Sequence, residues 1–178
     1  MMSLYSVADG QFTLANRNLV INALPKVPRA TEAELQWAAD NYGRFNAMLG
    51  NGRFQAAQRY YNNAHYLFDD DAKIMLLWAG IEGLLGIEAE LSRRIALHAA
   101  ILFDGDRSEK AAHLAQIKKA YVIRSKVVHG TGVDRASLPE AYFFASRLLV
   151  GLLRKMVELG RVPEASELDQ LAASVEVR

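Results

Sequence analysis

The chain of 178 residues has no cysteine, only four prolines and no long apolar run. Without cysteine it has no disulfide framework, thiol nucleophile or cysteine-ligated zinc, and its composition fits a reducing cytoplasm. No apolar segment is long enough to span a membrane, and the N-terminus lacks the layout of a signal peptide. The formal net charge is +1, so no global field attracts nucleic acid. A preference for anions must therefore come from a local patch.

Hydrophobic residues make up 51% of the chain, which predicts a folded domain and not disorder. We divide the chain into an N-terminal arm over 1–29, a helical bundle over 30–160 and a C-terminal tail over 161–178. In the arm, a short apolar cluster at 19–21 favours strand over helix, so we predict an extended arm or short hairpin. The acidic tail is expected to hold a short helix and to be partly loose.

From residue 30 onward, apolar spacing and end signals predict helices. A helix starts at the Thr31 cap, and others follow at about 54–68, 72–86, 88–103, 107–128 and 138–159. We predict capping boxes that pair Thr31 with Glu34, Asp106 with Glu109, and Ser137 with Glu140. The third helix is apolar nearly all round and therefore central, and two glycines at 80 and 83 favour a close helix crossing. The expected fold is all-α, an up-and-down bundle of five to six helices.

The fifth helix places a cation where its pattern asks for an apolar residue. Its stripe reads Leu114, Ile117, Tyr121, Arg124 and Val128. A guanidinium is costly to bury alone, so Arg124 meets an acidic side chain, faces another subunit, lines an anion-binding cleft, or reaches solvent from the bundle edge. The last, ordinary explanation is slightly favoured on these residues alone.

A histidine follows five residues after this arginine. On an ideal helix His129 lies about 140° around the axis from Arg124, so the two do not share a face. We expect the helix to loosen at His129, because Gly130 and Gly132 come directly after it. A histidine near a helix C-terminus is also common for electrostatic reasons.

Positive charge is concentrated in the same helix. Between 107 and 126 six cations face the single carboxylate of Glu109, a net +5 in a nearly neutral protein. The ordinary explanation is a solvated helix face, and the functional one is a strip that attracts phosphate. The six cations are Arg107, Lys110, Lys118, Lys119, Arg124 and Lys126.

The string "YVIRSKVVHG" at 121–130 resembles the signature of the HEPN superfamily, an arginine followed four to six residues later by histidine. It is most similar to the ApeA-like HEPN branch. There, a helix with a central glutamate, like "LLWAGIEGLLG", and an alanine-rich helix, like "ELSRRIALHAAILF", precede the motif. The resemblance covers roughly residues 55–155. It implies a bundle that dimerises around the motif helices, so that two motif copies line a shared cleft.

Many HEPN proteins are metal-independent endoribonucleases of toxin–antitoxin, anti-phage or RNA-processing systems. The resemblance makes Arg124 and His129 the catalytic pair. An imidazole, with an unperturbed pKa of ~6.5, suits proton transfer, and a guanidinium suits the charge that develops on phosphate. The candidate supporting residues are Glu82, Ser125, Lys126 and Tyr121. The candidate RNA-binding residues are Lys118, Lys119 and Arg94.

Glu82 lies on the same helix face as Trp78, which predicts a buried carboxylate. Its expected partner is Arg124 or Arg94. The resemblance implies that it holds the motif arginine in place, whereas the ordinary explanation is a structural ion pair.

Other residues favour ordinary structural roles. His98 is expected to be a hydrogen-bonded core or interface histidine. We predict no metal site at His65 and His113 and no cofactor. The aromatic residues of the second helix region are able to stack bases but are more often core. These residues are Tyr60, Tyr61, Tyr66 and Phe68.

The leading hypothesis is a cytoplasmic homodimeric endoribonuclease that acts on RNA, with an antitoxin or a defence protein as a further partner and no membrane association. One alternative is a non-catalytic HEPN module that binds RNA, a nucleotide or a partner protein. A second is a purely structural dimeric bundle.

Overall fold

A computed structural model describes residues 4–6, 12–14 and 30–176. Two short strands, β1 (Leu4–Ser6) and β2 (Phe12–Leu14), pair antiparallel with Leu4 opposite Leu14. The remaining regular structure is helical, so the all-α bundle is confirmed. The predicted strand at 19–21 lies outside the described residues. The helices are α1 (Glu32–Met48), α2 (Gly52–Ala64), α3 (Asp70–Leu85), α4 (Leu91–Leu102), α5 (Arg107–His129), α6 (Leu138–Leu159) and α7 (Ala165–Glu176).

Two of the three predicted capping boxes are confirmed. The hydroxyl of Thr31 accepts from the backbone N–H of Glu34 at 3.2 Å, and the Glu34 carboxylate accepts from the backbone N–H of Thr31 at 2.7 Å. Asp106 and Glu109 make the same reciprocal pair at 2.9 and 2.8 Å. Each box satisfies N–H groups that a helix start leaves without partners.

The third box, at Ser137 and Glu140, was predicted wrongly. A 3-10 turn over Arg135–Ser137 precedes α6 and already gives Ser137 helical backbone angles. The Ser137 hydroxyl donates to the carbonyl of Asp134 at 2.7 Å, and the Asp134 carboxylate accepts from the backbone N–H of Ala136. The cap therefore moves to the start of the 3-10 turn.

Helix α3 occupies the centre, as its pattern predicts, and packs mainly against α2 and α6. A Cβ at Gly80 would lie 2.9 Å from the side chain of Leu149 and 3.4 Å from Cβ of Tyr60, so glycine permits this close crossing. Gly83 does not share it, because it faces open space. The fully buried side chains of α3 are Ile74, Leu77, Trp78, Ile81, Leu84 and Leu85.

Helix α5 continues through His129, so the loosening expected at this residue is wrong. It ends at Gly130, which adopts the left-handed conformation at φ 64°. The N–H of Gly130 then bonds to the carbonyl of Val127, and that of Thr131 to the carbonyl of Lys126. This glycine cap satisfies the last carbonyls without unwinding the preceding turn.

The predicted helix in the tail forms as α7 and packs against α4. Leu168 and Ala172 are buried, at 1% and 4% exposure. The helix therefore docks on the bundle by an apolar face, and the tail is not loose over this stretch.

Candidate active site

The arginine of the α5 stripe forms an ion pair with the central glutamate of α3. Nη2 of Arg124 donates a hydrogen bond to Oε2 of Glu82 at 3.1 Å and lies 2.9 Å from Oε1. The two side chains are 20% and 17% exposed. Of the two partners expected for Glu82, the structure selects Arg124, and the carboxylate is partly and not fully buried.

This pair leaves hydrogen-bonding capacity unused. Oε1 of Glu82 and Nε of Arg124 are buried and have no hydrogen-bond partner in the described part of the chain. Burial raises the pKa of Glu82, and this effect outweighs the opposing charge of Arg124. Buried polar groups are normally satisfied, and an exception calls for an explanation. The arginine thus has an N–H donor without a partner. It lies beside a carboxylate whose charged form is disfavoured by burial.

Tyr121 fixes the position of this arginine from one turn earlier. Its ring is buried and meets the Trp78 ring edge-on, with centroids 5.2 Å apart. The guanidinium carbon of Arg124 lies 5.3 Å from the Tyr121 centroid, within cation–π range. Burial raises the pKa of Tyr121, so the phenol is neutral near pH 7. Its expected supporting role is consistent with this packing.

His129 lies away from Arg124 within one chain. Because α5 stays helical through His129, the angle between the two side chains remains about 140°. The imidazole is exposed, and in residues 30–174 no hydrogen bond or ion pair joins it to Arg124. A single protomer therefore does not assemble the predicted catalytic pair.

His129 instead belongs to an exposed surface that we call the α5 ridge. It consists of Lys118, Lys119, Val122, Lys126 and His129, all within about 60° of Val122 around the helix axis. The three lysines make no ion pair with any residue whose side chain the structure describes. Ser125 is half-buried at its edge. The ridge is thus a continuous cationic strip that ends at the imidazole.

Arg94 is not part of the ridge. Its Nε and Nη2 donate to the two carboxylate oxygens of Asp169 on α7, at 3.3 and 2.7 Å. His98, with no exposed surface, contacts Oδ1 of the same carboxylate through Nε2 at 2.8 Å. His98 is therefore the hydrogen-bonded core histidine that was predicted. Arg94 was expected to bind RNA, but its charge is engaged in holding α7.

A second polar cluster, missed by sequence reasoning, joins α2, α3 and α6. Nδ1 of His65 and the hydroxyl of Tyr142 share a short hydrogen bond. Nζ of Lys73 lies 5.1 Å from the Tyr142 centroid and 2.9 Å from the carboxylate of Asp70. Burial, and then the charge of Lys73, lowers the pKa of His65. Nothing in the local sequence connects His65, Lys73 and Tyr142, because the contacts among these three join separate elements.

The aromatic residues near α2 divide into two groups, contrary to the expectation of core positions. Tyr60 and Tyr61 are half-buried, and the Tyr61 ring meets His65 edge-on at 4.7 Å. Tyr66 and Phe68 are 70% and 58% exposed. The reason is that α2 ends at Ala64, before the predicted 68, so these two rings lie in the turn that leads to α3.

Within the described ranges, no three His, Asp or Glu side chains converge as metal ligands. In the same ranges no helix is both long and apolar enough to cross a membrane. No family model, curated protein or solved structure matches the chain.

Proposed function

We propose that this chain is a homodimeric endoribonuclease of the HEPN type that cuts RNA without a metal ion. Arg124 binds the phosphate that is attacked, and His129 transfers protons. We further propose that it acts in the cytoplasm, in a toxin–antitoxin or anti-phage system. The proposal combines the resemblance of 121–130 to the HEPN signature with the chemistry of the α5 residues.

One observation carries the proposal: Arg124 is embedded in the bundle with a buried Nε–H that has no partner among the described residues. A phosphate oxygen is a suitable acceptor, and charge-assisted bonds from guanidinium to phosphate are strong. Glu82 supports this role because it contacts Nη2 of the guanidinium and leaves the Nε–H without a partner. The arginine is therefore held in place with one donor available to phosphate.

The reaction follows from these groups. His129 accepts the proton of the RNA 2′-hydroxyl, whose oxygen attacks the adjacent phosphorus. The bond from phosphorus to the 5′-oxygen breaks, and an imidazolium returns a proton to that oxygen. Arg124 stabilises the charge on the non-bridging oxygens. The products are a 2′,3′-cyclic phosphate and a 5′-hydroxyl, and no oxidant or co-reactant is needed.

A second copy of the chain is required by this scheme, because Arg124 and His129 diverge by about 140° on one helix. Apolar side chains of α3 and α5 are exposed: Met75 at 42%, Val122 at 50% and Val128 at 44%. A dimer that covers them would place the partner's His129 beside Arg124 across a shared cleft. The ridge lysines would then line the cleft and attract the RNA backbone.

The test is RNA cleavage in the presence of EDTA. Purified full-length protein is incubated with structured RNA, alongside Arg124→Ala and His129→Ala. We expect each substitution to reduce cleavage about 100-fold or more, and the cyclic phosphate to appear as product. Arg93→Ala is the matched control, since Arg93 is exposed on α4 and, among the described side chains, its one ion pair is with Glu90. Intact RNA with the wild-type protein would contradict the proposal.

The second candidate is a module that binds RNA without cutting it. It is favoured by the engagement of Arg124 with Glu82 and by the separation of Arg124 from His129. In this case RNA stays intact but binds with salt-dependent affinity, and each substituted ridge lysine lowers the salt slope by about 1. Absence of any RNA interaction in a stable dimer would support the structural bundle.

A further inference from the structure

The two longest helices described in the chain leave a groove between them. Helices α5 and α6 have 23 and 22 residues but pack together over only a short stretch. The α5–α6 groove lies on the side of α5 that faces α6, next to the ridge. Its main lining residues are Gln116, Lys119 and Ile123 from α5 and Ala141, Phe144 and Arg147 from α6.

One end of this groove is closed by aromatic side chains. The Phe103 ring reaches over from the end of α4 and lies so close to α6 that a Cβ at Gly151 would be 3.0 Å from two ring carbons. The His113 ring meets Phe103 edge-on, with centroids 5.9 Å apart. Phe144 and Leu148 also line this end of the groove, which is mainly apolar. Such a lining suits a planar ring system.

The rims of the groove carry positive charge. Lys119 and Arg147 are exposed and make no ion pair with any described side chain. The Gln116 amide between them offers both a donor and an acceptor. Glu140 brings a negative charge at the other end. A ligand with one anionic group and one planar polar ring therefore matches the lining.

The groove is continuous with the proposed active site. Lys119 belongs both to its rim and to the α5 ridge. Ala120, which also lines the groove, precedes Arg124 by one helical turn, about 6 Å along the helix axis and about 40° around it. A ligand in the groove is thus adjacent to a group bound at Arg124.

We propose that the α5–α6 groove binds one nucleotide of single-stranded RNA next to the phosphate that is cut. The base lies on Phe144, the Gln116 amide contacts its edge, and the phosphate lies between Lys119 and Arg147. Aromatic stacking holds bases with little sequence preference. This inference rests on the proposed function, and it adds a requirement for an unpaired nucleotide beside the cleavage site.

An acidic helix of a partner protein fits the groove less well. The lining of α5 spans 113–123, about 15 Å, which is short for a docked helix. We therefore commit to RNA, and a protein occupant becomes an outcome of the test.

The experiment compares the affinities of two probes, a short single-stranded oligoribonucleotide and a blunt duplex that contains the same sequence. Fluorescence anisotropy is measured on full-length protein that carries His129→Ala, to prevent cleavage. Adding Arg147→Glu or Phe144→Leu is expected to weaken single-strand binding about 10-fold and duplex binding less than twofold. Phe144→Leu keeps an apolar side chain and removes the ring. Arg59→Glu, on the exposed face of α2, is the charge-reversal control.

Kinetics with intact His129 separate binding from chemistry. Both groove substitutions should raise KM about 10-fold and leave kcat within twofold, because the groove does not touch the reacting atoms. Circular dichroism and the thermal midpoint check that each variant is folded.

The contrary outcomes are distinct. The groove is overturned and the nuclease proposal stands if single-strand affinity is unchanged in the folded His129→Ala variants and the same groove substitutions still cut RNA when His129 is intact. If a groove substitution changes the sedimentation coefficient of the protein but not its RNA affinity, the groove is a protein interface. That result also overturns the proposed nucleotide site. If the wild-type protein neither binds nor cuts RNA, both proposals fail.

Discussion

This protein has two arginine–carboxylate ion pairs that are chemically alike. The pKa of the carboxylate is shifted in opposite directions in the two pairs. Arg124 pairs with Glu82 between α5 and α3, and Arg94 pairs with Asp169 between α4 and α7. Burial raises the pKa of Glu82. Hydrogen bonds from His98 and Arg94 lower the pKa of Asp169, whose side chain is 44% exposed. One carboxylate is therefore poorly stabilised as an anion, and the other is well stabilised.

The difference indicates different roles for the two pairs. The Asp169 carboxylate receives two bonds from the guanidinium of Arg94 and one from the imidazole of His98, which together fasten α7 to the bundle. Nδ1 of His98 has no hydrogen-bond partner among the described residues, but the charged groups of this first pair are bonded to each other; at the other pair, Glu82 Oε1 and Arg124 Nε themselves lack hydrogen-bond partners there. A structural pair is expected to be satisfied, whereas a pair that serves a ligand keeps capacity in reserve. We therefore interpret the first as a fastener and the second as a binding device.

The largest expected effect is that substituting Arg124 strongly lowers RNA cleavage with little loss of stability, whereas substituting Asp169 leaves cleavage nearly unchanged. Arg124→Ala should lower RNA cleavage about 100- to 1000-fold, because the developing phosphate charge loses its stabilising cation. Its unfolding free energy should fall by only about 1 kcal/mol, since Arg124 is partly exposed and loss of its charge removes an effect that lowers the pKa of Glu82, which favours the neutral carboxyl. Asp169→Asn should leave cleavage within twofold. Cleavage rates and urea unfolding of both variants test the separation.

An equal loss of cleavage in both variants would end this distinction. It would mean that activity depends on overall stability and not on the chemistry of Arg124. A large stability loss in Arg124→Ala with wild-type cleavage would reverse the two assignments.

The second prediction concerns the fastener. Asp169→Ala leaves the buried Nε2 of His98 and the Arg94 guanidinium without their acceptor. We expect the unfolding free energy to fall by about 1–3 kcal/mol, the cost of such an unpaired group reduced by the exposure of Asp169. Amide hydrogen exchange should accelerate in α7 before the rest of the bundle. Ser166→Ala, exposed on the same helix, is the control and should change neither quantity.

If amide hydrogen exchange in Asp169→Ala accelerates equally throughout the bundle, with no preference for α7, the fastening role is contradicted. It would show that Asp169 supports the whole core and does not attach one helix.

The fold of this protein was largely readable from its sequence because helix ends are coded locally. Helix α6 begins and ends where the apolar spacing and Gly160 place it, and the Thr31 and Asp106 caps form as predicted. The prediction of a Ser137 cap was wrong because a neighbouring 3-10 turn includes the same residue. The error at His129 arose because a glycine cap ended α5 without fraying it.

The candidate site was readable only in part, since its partners come from distant segments. An arginine on an apolar stripe and a glutamate on an apolar face each call for a counter-ion, so their pairing across 42 residues could be proposed. Nothing comparable marks Asp169, an acidic residue in an acidic tail 71 residues from His98. The α5–α6 groove is likewise invisible in the sequence, because it results from how two helices diverge.

The smallest expected effect is an opposite pH dependence of stability at the two carboxylates. Asp169 has a lowered pKa in the folded state, so its contribution is complete above the unfolded value of about 4 and disappears as the pH falls through the folded value. Glu82 has a raised folded pKa, so its contribution is complete below about 4 and disappears as the pH rises through the folded value. The slope of the unfolding free energy against pH that each carboxylate contributes is smaller than about 1.4 kcal/mol per pH unit, the limit for one proton.

Urea unfolding between about pH 3 and pH 8 measures these slopes for the wild-type protein, Glu82→Gln and Asp169→Asn. Above about pH 4, Glu82→Gln should gain stability relative to the wild type as the pH rises, because its amide keeps an oxygen for Arg124 and bears no charge to bury. Below about pH 4, the advantage of the wild type over Asp169→Asn should shrink as the pH falls. Slopes of the same sign at both sites would mean that Glu82 is stabilised as an anion in the fold, which would leave Arg124 an ordinary structural partner with no reserve for phosphate.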